Sequence, residues 1–335
     1  MKSLKVIAFI ILNLFLHNVP IHADAASIKI VHKADCNIYI KGDIVKGDFK
    51  KLFDLAANEK GLIREFFNDE PQYWLCLDSQ GGSFLEGLQI AEFVIKYAIG
   101  TRVENNAVCF SSCANIFMAG TSRGEDWDHP RRLLHVGGRL GFHAPHLTLK
   151  DANLFSSHEA EKIFELANLL MSTFVRIYAH QSIFFDGPWI RPSLVGEMYY
   201  KAKNDLVLVD TVGAAGRWQI DLYGHKELIS TRSSVVQACL NFQAWTSDQQ
   251  SERIDAKNLN IYLPKNEPDP KTGYYKVDTG GMMDRFCLVK PDDKKFNICS
   301  VDDFKGTHIG RCPETYALYP LLFGLPPDTR LKDLK

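Results

Sequence analysis

The sequence predicts an α/β fold built on a parallel sheet with right-handed crossovers. Three observations carry that expectation. Strand-like and helix-like patterns alternate from residue 27 to about residue 120, which favours parallel strands joined by helices. One strand-like run, Tyr73-Trp-Leu-Cys-Leu77, is apolar throughout, as a strand covered on both faces must be. The turns Gly81-Gly82 and Ser111-Ser112 each fall between a strand and the following helix, where such sheets form their sites.

The elements follow in order. Residues 27–44 alternate β-branched and polar residues around Ile28, Ile30, Ile38 and Ile40, with a bend at Gly42. Phe49, Leu52, Phe53, Leu55 and Ala56 recur at helical spacing and predict a helix over 47–59. The strand at 73–77 ends in Asp78-Ser-Gln-Gly-Gly82. Leu85, Leu88, Ile90, Ala91, Val94 and Ile95 predict a helix reaching to Gly100. A strand over 101–108 then leads into the small, apolar stretch Ala107–Gly120. Residues 121–139 are polar, with Asp126, Asp128, Pro130, Arg131 and Arg132, and read as a surface loop. Leu140-Gly-Phe-His143 is a short strand. A long helical pattern over 150–179, with Leu154, Ile163, Leu166, Leu170, Phe174 and Ile177, either projects onto a second copy or lies on its own domain. Residues 182–192 are aromatic and irregular, and 206–212 and 218–223 are strand-like. Beyond about residue 228 helical periodicity fades while Gly, Pro, Asp and Cys cluster. A separate, disulfide-bonded, irregular or β region is expected there. The organisation read from the sequence is a leader at 1–25, an α/β domain at 26–227 and a Cys-rich C-terminal region at 228–335.

Composition narrows the function. The 335 residues suffice for one large domain or two modest ones, and the formal net charge is −1. Without a basic run there is no electrostatic case for nucleic acid as a partner. Lys2 and Lys5 precede an apolar core, Val6 to Leu16, and a small-residue site ending at Ala25, which together read as a secretory signal. That core is shorter than the about 20 residues a membrane span needs, although an uncleaved anchor is the alternative. A periplasmic or secreted protein is expected. Its cysteines, Cys36, Cys76, Cys109, Cys113, Cys239, Cys287, Cys299 and Cys312, are even in number, as disulfides in an oxidising compartment require. Four fall after residue 235, so two bridges are expected within the C-terminal region. No Cys-x-x-Cys pair suggests zinc, and no cofactor or metal is expected.

The chemistry centres on Ser111. Acyl transfer by a serine needs a base within hydrogen-bond reach and backbone donors aimed at the oxyanion. Ser111 sits where a helix should start, so the N–H of Ser112 is one candidate donor. Gly82, without a Cβ, offers another. His143, at a later strand end, is the candidate base. Each has a bland reading beside it: serines that cap a helix, and a structural histidine.

These residues also carry a resemblance. Ile38-Tyr-Ile-Lys-Gly-Asp-Ile44, Leu77-Asp-Ser-Gln-Gly-Gly-Ser-Phe-Leu-Glu-Gly-Leu88, Cys109-Phe-Ser-Ser-Cys-Ala-Asn-Ile-Phe-Met-Ala-Gly120 and Phe142-His-Ala-Pro145 resemble, in that order, the proteolytic subunit of Clp-type proteases. More broadly they are similar to the crotonase-like superfamily, and most of all to its secreted Clp-like members, over roughly residues 37–215. The resemblance implies a repeated β-β-α superhelix, Ser111 as nucleophile, Ser112 and Gly82 as backbone oxyanion donors, and His143 as base. The family's Arg-Asp motif is missing, which leaves Asp186 as the nearest candidate for the third member, with Asp205 and Asp210 less well placed. An exported member would work without an ATP-driven unfoldase and without coenzyme A. The Ser–Lys pair of membrane-bound relatives is set aside for His143. Cys109 and Cys113 flank the serines and either bridge locally, stiffening the turn, or pair elsewhere. The function expected is an exported, ATP-independent serine peptidase acting on peptides or unfolded segments, with a possible homo-oligomer formed through helix 150–179. A non-catalytic protein- or peptide-binding module and a small-ester or acyl hydrolase are the rivals.

Overall fold

The computed structural model describes residues 25–33, 35–58, 73–123, 128–145, 156–179, 188–202, 205–265, 267–279, 285–302, 312 and 318–335. The expected leader, up to residue 24, lies outside them. β1 (Ser27–Lys33) and β2 (Cys36–Lys41) form an antiparallel hairpin. In β2 the buried Ile38 and Ile40 alternate with half-buried Asn37 and Tyr39, the period of two that a one-sided strand requires. α1 (Asp48–Asn58) buries Leu52 and Ala56, one turn apart. Its first turn is held by Glu86, whose carboxylate accepts from the backbone N–H groups of Gly47 and Phe49, both at 2.9 Å.

β3 (Trp74–Asp78) is followed by α2 (Phe84–Lys96), whose N-cap Ser83 accepts from the N–H of Glu86. Then come β4 (Gly100–Val103), β5 (Val108–Phe110), α3 (Ser112–Met118), β6 (Thr121–Arg123), β7 (Asp128–Pro130), β8 (Arg132–His135) and β9 (Arg139–Phe142). α4 (Ser157–Tyr178), α5 (Pro192–Tyr200), β10 (Val207–Leu208), α6 (Val212–Arg217) and β11 (Asp221–Tyr223) complete the first part. The main sheet has the order β1-β2-β3-β4-β8-β11, and every neighbouring pair beyond the first hairpin is parallel. A smaller sheet, β10-β9-β5, pairs β5 with β9 in parallel and β9 with β10 antiparallel. The isolated bridge Ser79↔Cys109 joins the end of β3 to this second sheet, and Ile44↔Gly82 ties together the segments that follow β2 and β3. The fold is thus mixed α/β with a largely parallel sheet, as the alternation of patterns implied.

Several local expectations change. The supposed loop over 121–139 contains three short strands, and β8 lies inside the main sheet between β4 and β11. Its polarity misleads because Arg132 points inward. It is fully buried and donates to the carbonyls of Met118 (3.1 Å) and Trp189 (2.9 Å). The single strand expected over 101–108 breaks at Asn106, whose φ is 63°, into two strands that belong to different sheets. The run 206–212 gives only the two residues of β10 before Thr211 caps α6. Helix α4 is described from Ser157, with a capping box at Ser156 and Glu159; positions 150–155 lie outside the described residues.

The C-terminal region is less irregular than its composition suggests. α7 (Arg232–Thr246) opens it as a fifteen-residue helix with a capping box at Thr231 and Ser234. The region ends in an antiparallel sheet of β12 (Tyr275–Asp278), β13 (Arg285–Pro291), β14 (Lys295–Asp302) and β15 (Leu318–Pro320). α7 escapes a periodicity test because it is buried on two sides. Val235, Val236, Ala238 and Cys239 pack with Val277, Val289, Phe296 and Ile298 in a core of the C-terminal region. Trp245, one helix end away, joins the core of the first part, as do Leu322, Leu331 and Leu334. Residues 325–335 return to the first part. Gly213 donates to the carbonyl of Pro327, Val212 to Thr329 and Leu331 to Asp210, and Lys226 donates to the carbonyl of Leu334.

All eight cysteines are bonded, as Cys36–Cys76, Cys109–Cys113, Cys239–Cys287 and Cys299–Cys312. The last two are the pair expected within the C-terminal region, and four bridges fit an oxidising compartment. Among the described residues no helix is long and apolar enough to cross a membrane.

Candidate active site

Ser111 occupies the turn between β5 and α3, with φ 57° and ψ −124°. An L-residue there is strained by roughly 1–3 kcal/mol, which the surroundings must over-determine. Three contacts do so. The N–H of Ser111 donates to the carbonyl of Gly141 (3.1 Å), and its carbonyl accepts from the N–H of Asn115 (3.2 Å). Gly81, with φ 105°, packs directly on the turn: a Cβ there would lie 2.7 Å from the carbonyl oxygen of Phe110 and 2.7 Å from the Cβ of Ser111. Although Ser111 is the N-cap residue of α3, its side chain makes no cap hydrogen bond. The bland reading of this serine, a hydroxyl spent on capping, does not describe it.

Ser112 begins α3, so its N–H is one of the groups a helix leaves without an internal acceptor. Gly82 follows Gly81 with φ 135°, and a Cβ there would lie 2.1 Å from the carbonyl oxygen of Ile44. The chain is pinned on both sides, since Ile44 N–H donates to Gly81 (2.8 Å) and Ser83 N–H to Ile44 (2.7 Å). Among the described residues no acceptor takes the N–H of Gly82 or of Ser112. Ser112 Oγ is buried and makes no hydrogen bond.

α3 is gripped at its middle and at its C-terminal end. Tyr178, at the end of α4, donates its hydroxyl to the carbonyl of Asn115 (2.6 Å), and Arg132 holds Met118. Burial raises the Tyr178 phenol well above its usual range, keeping it a neutral donor. Burial also pushes the Arg132 guanidinium down to about 9, with Asp221 opposing that shift. Beneath the turn, Cys109 and Cys113 form the local bridge, both fully buried. Of the two pairings open from the sequence, this is the one observed.

The base candidate arrives on the neighbouring strand. β5 and β9 run parallel with Phe110 opposite Gly141, so Ser111 and His143 leave the carboxyl ends of adjacent strands. His143 is half-buried, and its Nδ1 lies 2.8 Å from the carbonyl oxygen of Ala144. When Nδ1 donates to that carbonyl, the lone pair is on Nε2, the nitrogen that a serine-activating imidazole uses.

The third position divides the candidates. Asp186 lies outside the described residues. Asp210 is committed elsewhere, in an ion pair with Arg330. Asp205 is exposed, yet β10 pairs with β9 so that Val207 faces Phe142. The pairing ends there, which leaves Asp205 two residues before β10 and His143 one residue after β9, at the same end of the two strands. Only a long-range strand pairing could reveal this. Gly81 was also missed as a site residue, though the Gly-Gly doublet carried the signal. No group of His, Cys, Asp or Glu that could hold a metal occurs among the described residues.

No protein-family model matches the chain, and no curated protein matches it. Among solved structures it is similar to a point mutant of ClpP1 from Listeria monocytogenes, at 14% identity and a TM-score of 0.34, over 55% of this chain and 89% of that one. It is also similar to the ClpP protease catalytic domain from Plasmodium falciparum, at 17% identity and a TM-score of 0.35, over 57% and 86%.

Proposed function

We propose that the chain is an exported serine hydrolase of the Clp type, a peptidase that cleaves peptides or unfolded segments without ATP. In this reading the first part is a repeated β-β-α superhelix, followed by a disulfide-bonded C-terminal region. One observation carries the proposal: Ser111 sits on a strained strand-to-helix turn with its hydroxyl unspent on the helix, beside the strand that ends in His143. Ser111 Oγ attacks the carbonyl carbon while His143 Nε2 takes its proton. The N–H groups of Ser112 and Gly82 meet the oxyanion, and His143 returns the proton to the leaving amine. Water then attacks the acyl-enzyme by the same route. Asp186 is the carboxylate expected to orient His143, whose Nδ1 lies against the Ala144 carbonyl; Asp205, at the neighbouring strand end, is the alternative.

A fluorophosphonate probe tests this on the mature protein. Labelling of the wild type that disappears in Ser111→Ala supports the proposal. A well-folded wild type that resists the probe sinks it, and labelling that survives Ser111→Ala moves the nucleophile elsewhere.

α4 supports a proposal about assembly. Phe164, Leu166, Leu169 and Val175 are exposed along it, while only Phe174, Ile177 and Tyr178 are buried. Phe164 and Val175 share one side of the helix and Leu166 and Leu169 another, and in this reading a second copy of the chain covers them. Light scattering should report an oligomer in the wild type, and a monomer when Phe164 and Leu169 are replaced by Glu.

A further inference from the structure

We infer that the Cys109–Cys113 disulfide is a positioning device for Ser111, holding the nucleophile's strained conformation. The inference rests on the reading of Ser111 as nucleophile. The bridge joins the middle residue of β5 to the second residue of α3, and the three residues it encloses are Phe110, Ser111 and Ser112. Every residue assigned to the turn, nucleophile and oxyanion donor alike, lies inside this small ring.

The other three bridges are built differently. Cys36–Cys76, Cys239–Cys287 and Cys299–Cys312 span 40, 48 and 13 residues, whereas Cys109–Cys113 spans 4. Cross-links restrict the unfolded chain more as the loop they close lengthens. The shortest bridge is therefore the poorest choice for general stability, and its effect is concentrated on the residues inside it. Those residues include the one non-glycine position in the site with a positive φ. Without the cross-link, the two backbone hydrogen bonds and the Gly81 contact are left to hold Ser111 alone, and its backbone can relax toward an ordinary extended or helical conformation. That change re-aims Oγ relative to the neighbouring strand end and turns the N–H of Ser112 with it. Both sulfur-bearing residues are fully buried, so the bridge is packed against the turn and does not dangle at the surface. Opposing motion is limited on the other side by Gly81, whose backbone touches Ser111. The turn is thus clamped between a covalent ring and a glycine.

Cys109→Ala/Cys113→Ala tests the inference against Cys239→Ala/Cys287→Ala, which removes a long-range bridge remote from the turn. Each variant is compared with wild type by circular dichroism, thermal unfolding and the rate of fluorophosphonate labelling, well below its Tm. The folded Cys109→Ala/Cys113→Ala protein is expected to label about 100-fold more slowly, the loss that a displacement of about 1 Å brings to a positioned group. The Cys239→Ala/Cys287→Ala protein is expected to lose more Tm and to keep the wild-type labelling rate. Equal labelling rates in folded Cys109→Ala/Cys113→Ala and wild type overturn the inference.

Ser111→Gly supplies a readout independent of activity, because glycine adopts the positive φ without strain. It should raise the Tm of the bridged chain and lower that of the bridge-free chain. The same shift in both backgrounds overturns the inference. If Cys109→Ala/Cys113→Ala does not fold, Cys109→Ala/Cys113→Val takes its place in both comparisons, with the same outcomes supporting or overturning the inference. Should wild type show no labelling at all, the hydrolase reading fails, while this Tm comparison still decides the role of the bridge.

Discussion

The two halves of the candidate site are built to different standards. On the nucleophile side, Ser111 is held by two backbone hydrogen bonds, a glycine contact and a buried disulfide. The helix after it is gripped by Tyr178 and Arg132. On the base side, His143 stands half-buried at a strand end, its Nδ1 against the carbonyl of the next residue, and Asp205 at the neighbouring strand end is exposed. The contrast teaches where each half gets its precision. The nucleophile needs one unusual backbone conformation, which only many local constraints can impose. The base needs one tautomer and one ring orientation, which a single acceptor on Nδ1 can supply.

That comparison can be broken at graded cost. Ser111→Ala should remove the nucleophile outright and lower kcat by about 10⁶-fold, with labelling lost and Tm kept or raised. His143→Ala should fall in the same range; a loss of only tenfold would mean that another group takes the proton and that the base half has been misplaced. Gly82→Ala is expected next. Its Cβ cannot coexist with the Ile44 carbonyl, so the turn must shift and one oxyanion donor with it, costing about 10²–10³-fold in kcat together with Tm. A normal kcat in folded Gly82→Ala would take this donor out of the mechanism.

The smallest effect is reserved for Asp205→Asn. An exposed carboxylate beside an imidazolium contributes about 1 kcal/mol or less, or roughly fivefold in rate. A hundredfold loss would show that Asp205 closes over His143 during turnover and that the base half is as tightly built as the other. Asp186→Asn sharpens the same point, since a larger loss there than in Asp205→Asn would give the orienting role to Asp186.

What the sequence disclosed follows from which forces are local. Ile38 and Ile40, or Leu52 and Ala56, announce their elements because burial on one face imposes a period that can be counted. β8 hid because one of its two buried residues is an arginine whose acceptors, Met118 and Trp189, lie 14 and 57 residues away. α7 hid because two different cores cover it, and this removes the polar face that marks an amphipathic helix. In the site, Ser111, Ser112, Gly82 and His143 were visible as residue types at strand ends. The positive φ of Ser111 and the pairing of β10 with β9 that brings Asp205 to the His143 end of the sheet were not, because both depend on partners brought in by the sheet. The bridge between Cys109 and Cys113 was visible only as one of two options, since spacing permits a local pairing without requiring it.

The return of residues 325–335 bears on the order in which the molecule can be assembled. Leu331 and Leu334 fill the core that also holds β3 and α2, and the hydrogen bond from Leu331 to Asp210 closes a loop of 121 residues. Closing so long a loop is slow, because its entropy must be surrendered before the contact is gained. The first core is therefore complete only once this segment has docked. A chain cut before residue 325 should be more than a protein without its tail: its first part should have an unfinished interior, vulnerable to proteolysis at α6 and β11, where the returning segment would have docked.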